Sequence, residues 1–196
     1  PENILPEVKD SDSLFGYMDQ SLIGKSIPIN GVIGDQQASL FGHGGRDMQT
    51  VKATYGTGIF ILANTGSSVT DSDKLVSTIA WKTREEVRYA LEGCLFMGGA
   101  SLQWLQENLG IIESLDTVSA TALQCGSNEG VYFVPAFQGL GAPYWSSNAR
   151  ALICGLSRKS DKNTLIRAAL ESMAYQVRDI LEAFSEKSNQ KFTKLR

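Results

Sequence analysis

The stretch TVKATY-GTG-IFILAN (50–64) decides the reading of this chain. Two runs rich in β-branched and aromatic residues flank Gly56-Thr57-Gly58, which is a hairpin signal. A second pair, LVSTIAW (75–81) and EVRYALE (86–92), is joined by the polar Lys82–Glu85. In its second run Val87, Tyr89 and Leu91 alternate with Arg88, Ala90 and Glu92, as in a strand with one wetter face. Downstream, Gly93–Gly99 leads into a helix with Leu102, Leu105 and Leu109 at i, i+3, i+7. Residues 113–125 read as helical, GVYFVPAF (130–137) and ALICGL (151–156) as buried strands, and GLGAPYW (139–145) as a loop with its aromatics over the core. Residues 162–187 carry Ile166, Ala169, Leu170, Met173, Val177, Ile180, Leu181 and Phe184 at helical spacing, with Ser160 or Asp161 as the cap. A strand is expected to begin at Phe192.

Upstream of the hairpin, IPINGVIGD (27–35) reads as a strand ending in Gly-Asp, with Asp35 at the N-cap of a helix QQASLFGHGG. Gly44-Gly45 stops that helix. A boundary near residue 47 divides the chain into 1–47 and 48–196, an α/β chain in two parts.

Composition narrows the function classes. The 196 residues are 42% hydrophobic and 20% charged, enough to bury a core without metal or disulfide staples. Eighteen Lys and Arg against twenty-one Asp and Glu give a net charge of −3, so no basic field favours nucleic acid or an anionic membrane. Cys94, Cys125 and Cys154 are an odd, scattered set, read as buried free thiols of a reducing cytoplasm. With a single histidine, His43, and no CxxC, no metal centre is expected. No apolar run is long enough to span a bilayer. The first residues, PENILPEVKDSDS, are acidic and polar, unlike a signal peptide; because they do not begin with Met, the expectation is a piece of a longer polypeptide.

Four motifs are candidates for chemistry. Asp35, at a strand-to-helix junction, is placed to take a proton from a hydroxyl, or simply caps its helix. Gly56-Thr57-Gly58 removes side-chain bulk so that N–H groups and a hydroxyl approach phosphate, or is an ordinary turn. Gly98-Gly99-Ala100-Ser101 at a helix start offers unpaired N–H groups to a ligand, or packs closely on a strand; Gln103 lies one turn further on the Gly99 face. GLGAPYW is a structured loop rather than a catalytic one.

Taken together, GDQQASLFG (34–42), TYGTGIF (54–60), YALEGCLFMGGASLQWL (89–105), VPAFQGLGAPYW (134–145) and GLSR…IRAALESMAYQ (155–176) resemble the FGGY carbohydrate kinases in order and spacing. The resemblance implies a ribonuclease H-like α/β fold of the actin/Hsp70/hexokinase superfamily. It implies a mixed sheet with helices, and ATP and substrate between two domains. Residues 1–47 then correspond to the end of the first domain and 48–196 to most of the second. It also implies phosphorylation of a small polyol, glycerol first, with xylulose or gluconate kinases and a non-catalytic nucleotide-binding relative as alternatives. The implied cofactors are ATP and Mg2+; the implied assembly is a cytoplasmic homo-oligomer.

By the same resemblance Asp35 is the catalytic base and touches substrate, Gln36 meets a substrate hydroxyl, and Phe60 packs on substrate carbons. Thr57 and Gly58 hold the ATP phosphates, and Gly99 and Gln103 contact the nucleotide. No residue here is implied as a metal ligand. Family members are longer, so the 196-residue chain by itself is expected to lack kinase activity. Members inhibited by fructose 1,6-bisphosphate carry Gly-x-Arg where this chain has Gly24 and Ser26, which implies weak or no inhibition. Ser146-Ser147 replaces the family's frequent Asp-Pro after GAPYW.

Overall fold

The structure is a computed structural model and describes residues 2–196. Upstream of residue 35 the chain is thinly packed. β1 (Gly16–Tyr17) pairs antiparallel with β2 (Pro28–Ile29), enclosing the single turn α1 (Gln20–Ile23). The strand expected over 27–35 is reduced to β2, because β1 is the one neighbour it finds and offers two residues to pair with. Val32 and Ile33 beyond it stay exposed. In α2 (Asp35–Gly42) the N-cap is Gly34, whose carbonyl accepts the Ala38 amide at 2.7 Å. Asp35 is therefore the first helical residue and not the cap the sequence suggested.

The hairpin appears as expected. β3 (Thr50–Tyr55) and β4 (Ile59–Gly66) pair antiparallel with Tyr55 opposite Ile59, and β5 (Val76–Lys82) pairs with β6 (Val87–Leu95). There follow α3 (Gly99–Glu107), a 3-10 turn running into α4 (Val118–Gln124), β7 (Tyr132–Val134), β8 (Leu152–Cys154), α5 (Lys162–Ser188) and β9 (Lys194–Leu195). The main sheet has the order β5-β6-β4-β3-β9, with β9 parallel to β3 and the other pairs antiparallel. Four antiparallel strands, and a fifth brought beside β3 by a long helix, thus form one mixed sheet.

Period-two alternation gives this sheet two faces. On one, Val51, Ile59, Ile61, Leu91 and Leu95 pack against Val177, Ile180 and Phe184 of α5. Each fully buried side chain of that kind contributes about 1.5–3 kcal/mol. The N-terminal half of α5 covers a second core of Leu105, Val118, Val131, Phe133 and Ile166. Asp161 caps α5 by accepting from the Thr164 amide at 2.9 Å, and Asn189 in the left-handed region (φ 54°) ends it. The opposite face is covered in part by α2, whose Leu40 is buried with Leu62, Ala80, Trp81 and Ala90.

Two expected buried strands are corrected. β7 stops at Val134 because Pro135 lacks an N–H for the ladder, and β8 ends at Cys154. Together they form a two-stranded ribbon apart from the main sheet, leaving Tyr132, Leu152 and Cys154 exposed. Cys154 is thus not a buried thiol, and Cys94 and Cys125 are half-buried. Tyr144 and Trp145 are likewise not sunk over the core. They stay exposed and are tied by their polar tips, Tyr144 to Asp179 and Trp145 to the Lys74 carbonyl, both at 2.8 Å. Among the described residues no helix is long and apolar enough to cross a membrane.

Candidate active site

Beyond the N-terminal end of α2, one sheet face is left uncovered, and the candidate residues gather there. Cross-strand register puts Lys52, Leu62 and Glu92 abreast on β3, β4 and β6, and Thr54, Phe60 and Cys94 abreast one pair further along. The Asp35 side chain lies over this face at the start of α2. Its Oδ1 accepts the Gln36 amide at 2.8 Å and its Oδ2 accepts Gln36 Nε2 at 3.2 Å, while the residue stays exposed. Gln36 Oε1 accepts from Lys52 Nζ at 2.5 Å. Lys52 itself is 1% exposed. Burial pushes its ammonium pKa down, and the carboxylates of Asp35 and then Glu92 oppose that shift. Burial pushes the Glu92 carboxyl up; Lys52 draws it down and Asp35 adds to the rise. The Cys94 thiol is raised by burial, with Glu92 adding to it.

The turn at the far end of β3 is built by α3. The Gly99 amide donates to the Gly56 carbonyl at 2.8 Å; the Gly98 and Ala100 amides donate to the Thr57 carbonyl at 2.8 and 3.2 Å. The amides that the sequence offered to a ligand at this helix start are therefore already engaged by the turn. In a trans peptide the C=O and N–H point in opposite directions. Holding the Gly56 and Thr57 carbonyls against α3 thus turns the Thr57 and Gly58 N–H groups outward, beside the exposed Thr57 side chain. Among the described residues neither N–H donates to a backbone carbonyl outside the strands. The glycines are set by close approach. A Cβ on Gly58 would lie 2.6 Å from the Leu95 carbonyl oxygen, and one on Gly98 would lie 2.8 Å from Ile59 Cγ1. Gln103 is exposed on α3, one turn from Gly99.

The structure therefore gathers Asp35, Gln36 and Phe60 on one open face and puts Thr57 and Gly58 at its end. Lys52 to the end of β3 is three residues, or about 10 Å of strand. Leu40 packs α2 onto the sheet that carries the turn. Lys52 and Glu92 were missed. The available signal was an ionisable residue within each of two strands, at positions on the sheet face that α2 partly covers.

This chain matches the FGGY family of carbohydrate kinases, C-terminal domain, over residues 51–196. It is 49% identical over 191 residues to a glycerol kinase of Aquifex aeolicus, covering 97% of this chain and 39% of that protein. Among solved structures, a Plasmodium falciparum glycerol kinase with ADP superimposes with a TM-score of 0.89 at 37% identity, over 99% of this chain and 39% of that one. A xylulose kinase from Rhodospirillum rubrum superimposes with a TM-score of 0.79 at 21% identity, over 99% of this chain and 40% of that one, a likeness of fold. The chain thus spans about two fifths of the length of the relatives it matches. The mixed sheet with its α5 crossover is the actin/Hsp70/hexokinase-like architecture that these kinases share. With this match over most of its length, the chain belongs to the FGGY family of carbohydrate kinases.

Proposed function

We propose that the full-length protein transfers the γ-phosphoryl group of ATP to a terminal hydroxyl of glycerol, yielding glycerol 3-phosphate and ADP. The observation that carries this reading is the shared open sheet face. Asp35 and Gln36 stand over it, Phe60 lies on it at 38% exposure, and two outward N–H groups and a hydroxyl stand at its end. Glycerol is favoured over xylulose or gluconate by the relatives at about half identity, since the xylulose kinase likeness is one of fold.

In this reading Phe60 packs on the substrate carbons and Gln36, with one amide hydrogen on Asp35, offers the other to a hydroxyl. Asp35 takes the proton of the attacking hydroxyl as its oxygen bonds to phosphorus and the bond to the ADP oxygen breaks. The Thr57 and Gly58 N–H groups and the Thr57 hydroxyl meet the charge that builds on the phosphoryl oxygens. Gly99 and Gln103 border the rest of the nucleotide. Mg2+ belongs to the reading as the ion of the nucleotide. Such an ion would be carried on phosphate oxygens and waters, with one or two carboxylates at most from the protein. The boundary near residue 47, a cytoplasmic location and a homo-oligomer complete the reading. The boundary is supported by the family match beginning at residue 51.

The test is glycerol-dependent ADP release by the full-length protein, beside a panel with xylulose and gluconate. Asp35→Asn is expected to lower kcat by roughly 10²–10⁴-fold, with ATP binding kept in calorimetric titration. Unchanged turnover in that variant overturns the assignment of the base.

A further inference from the structure

We infer that Lys52 is a positioning residue for phosphoryl transfer, locking the Gln36 amide so that its nitrogen is presented to the Asp35 carboxylate. The inference rests on the reading of Asp35 as the base. Its foundation is a directional chain of hydrogen bonds. An ammonium only donates, so a Lys52 Nζ 2.5 Å from the Gln36 amide must meet its oxygen, Oε1. That settles which way the amide faces, and Nε2 is left to donate to Asp35 Oδ2 at 3.2 Å. With the Gln36 backbone amide on Oδ1, both carboxylate oxygens are then held by one residue, which is in turn held by Lys52.

A lysine 1% exposed serves no surface purpose, and a buried ammonium is costly where an apolar side chain would fill the space. Its neighbours show what it is aimed at. The charged and titratable groups about Asp35 are Lys52 on β3 and Glu92 on β6, with Cys94 next along β6; β4 contributes Leu62 and Phe60. Lys52 is attracted by both carboxylates, Asp35 the more strongly. Removing it frees the amide to flip, loosens the plane of the carboxylate, and takes away a positive charge beside the base.

The experiment compares full-length wild type with Lys52→Met, Gln36→Met and the double variant, each first checked for folding by its thermal transition. Lys52→Met is expected to lower kcat by roughly 10²-fold through misplacement of the base, with KM for ATP changed less than about twofold. The Lys52→Met and Gln36→Met losses should be strongly non-additive, since one acts through the other.

A folded Lys52→Met with unchanged kcat overturns the inference, as do losses that simply add. A purely structural lysine would lower the transition temperature, and its loss would add to that of Gln36→Met. Should Lys52→Met not fold, Gln36→Met decides: a kcat loss of similar size with KM for ATP kept supports the inference, and unchanged kcat overturns it. Should wild type phosphorylate no polyol, the functional reading fails and this inference with it, an outcome distinct from an active wild type whose Lys52→Met variant keeps its kcat.

Discussion

Glu92 behaves unlike the surface acids around it, and its effect is measurable in stability. Burial raises its pKa above the ordinary 4.5, so between pH 4.5 and the higher folded value the native state holds a proton that the unfolded chain releases. The stabilisation from that proton is complete below the unfolded pKa and fades as pH rises through the folded one. Glu92→Gln has no such proton to lose. Its Tm minus that of wild type is therefore expected to grow as pH rises from about 4.5, in calorimetric scans over a pH series. A difference that stays flat or shrinks would contradict the assignment. At this scale the sequence was legible where chemistry is local: Asp161 bonds Thr164 three residues on, and the Gly-Thr-Gly turn sits where its glycines demand. It was opaque where partners are distant. Lys52 meets Gln36 across sixteen residues, and the Glu92 carboxyl feels Lys52 and Asp35 through the fold, so spacing along the chain gave no hint of the cluster.

Among the elements, the turn and α3 act as one piece, because the helix start holds the turn's carbonyls. Gly58→Ala tests that coupling. The new Cβ would stand 2.6 Å from the Leu95 carbonyl oxygen, so the turn must lift from the end of β6. A stability loss of about 1–3 kcal/mol is expected, together with ATP affinity about tenfold weaker, or about 1.4 kcal/mol. Denaturant melts and calorimetric titration of the full-length protein would measure both. Gly126→Ala, with open space around it and no positive φ, is the control expected to match wild type. The strands of the hairpin and the helix α5 were readable because their periods persist over many residues. The cap of α2 was misread by one position, since Gly34 and Asp35 both suit a helix start and the backbone chose the glycine. The docking of α2 rests on Leu40, the single fully buried residue of a short helix, too little for a periodicity to reveal.

For the molecule as a whole, the fold class was legible in the order of its motifs. The degree of burial upstream of α2 was not. Ile4, Leu5, Val8, Leu22 and Ile23 are all more than half exposed, although their composition resembles that of a core. The long-range pairing is equally invisible in a local reading, and it sets how the molecule must assemble. β3, the strand of Lys52, takes its second neighbour from β9, with Thr193 reaching Gln49 across 144 residues of sequence. Such a junction closes against a large loop entropy and rewards the chain last. The antiparallel strands β3–β6 should gain amide protection first, and the Ala53 and Arg196 amides that stitch β3 to β9 should follow, in pulse-labelled hydrogen exchange during refolding. Simultaneous protection would refute that order. Until the seam shuts, the strand bearing the buried ammonium presents a raw margin to any other nascent chain, so the apparatus for catalysis and the hazard of misassembly share one ribbon of backbone.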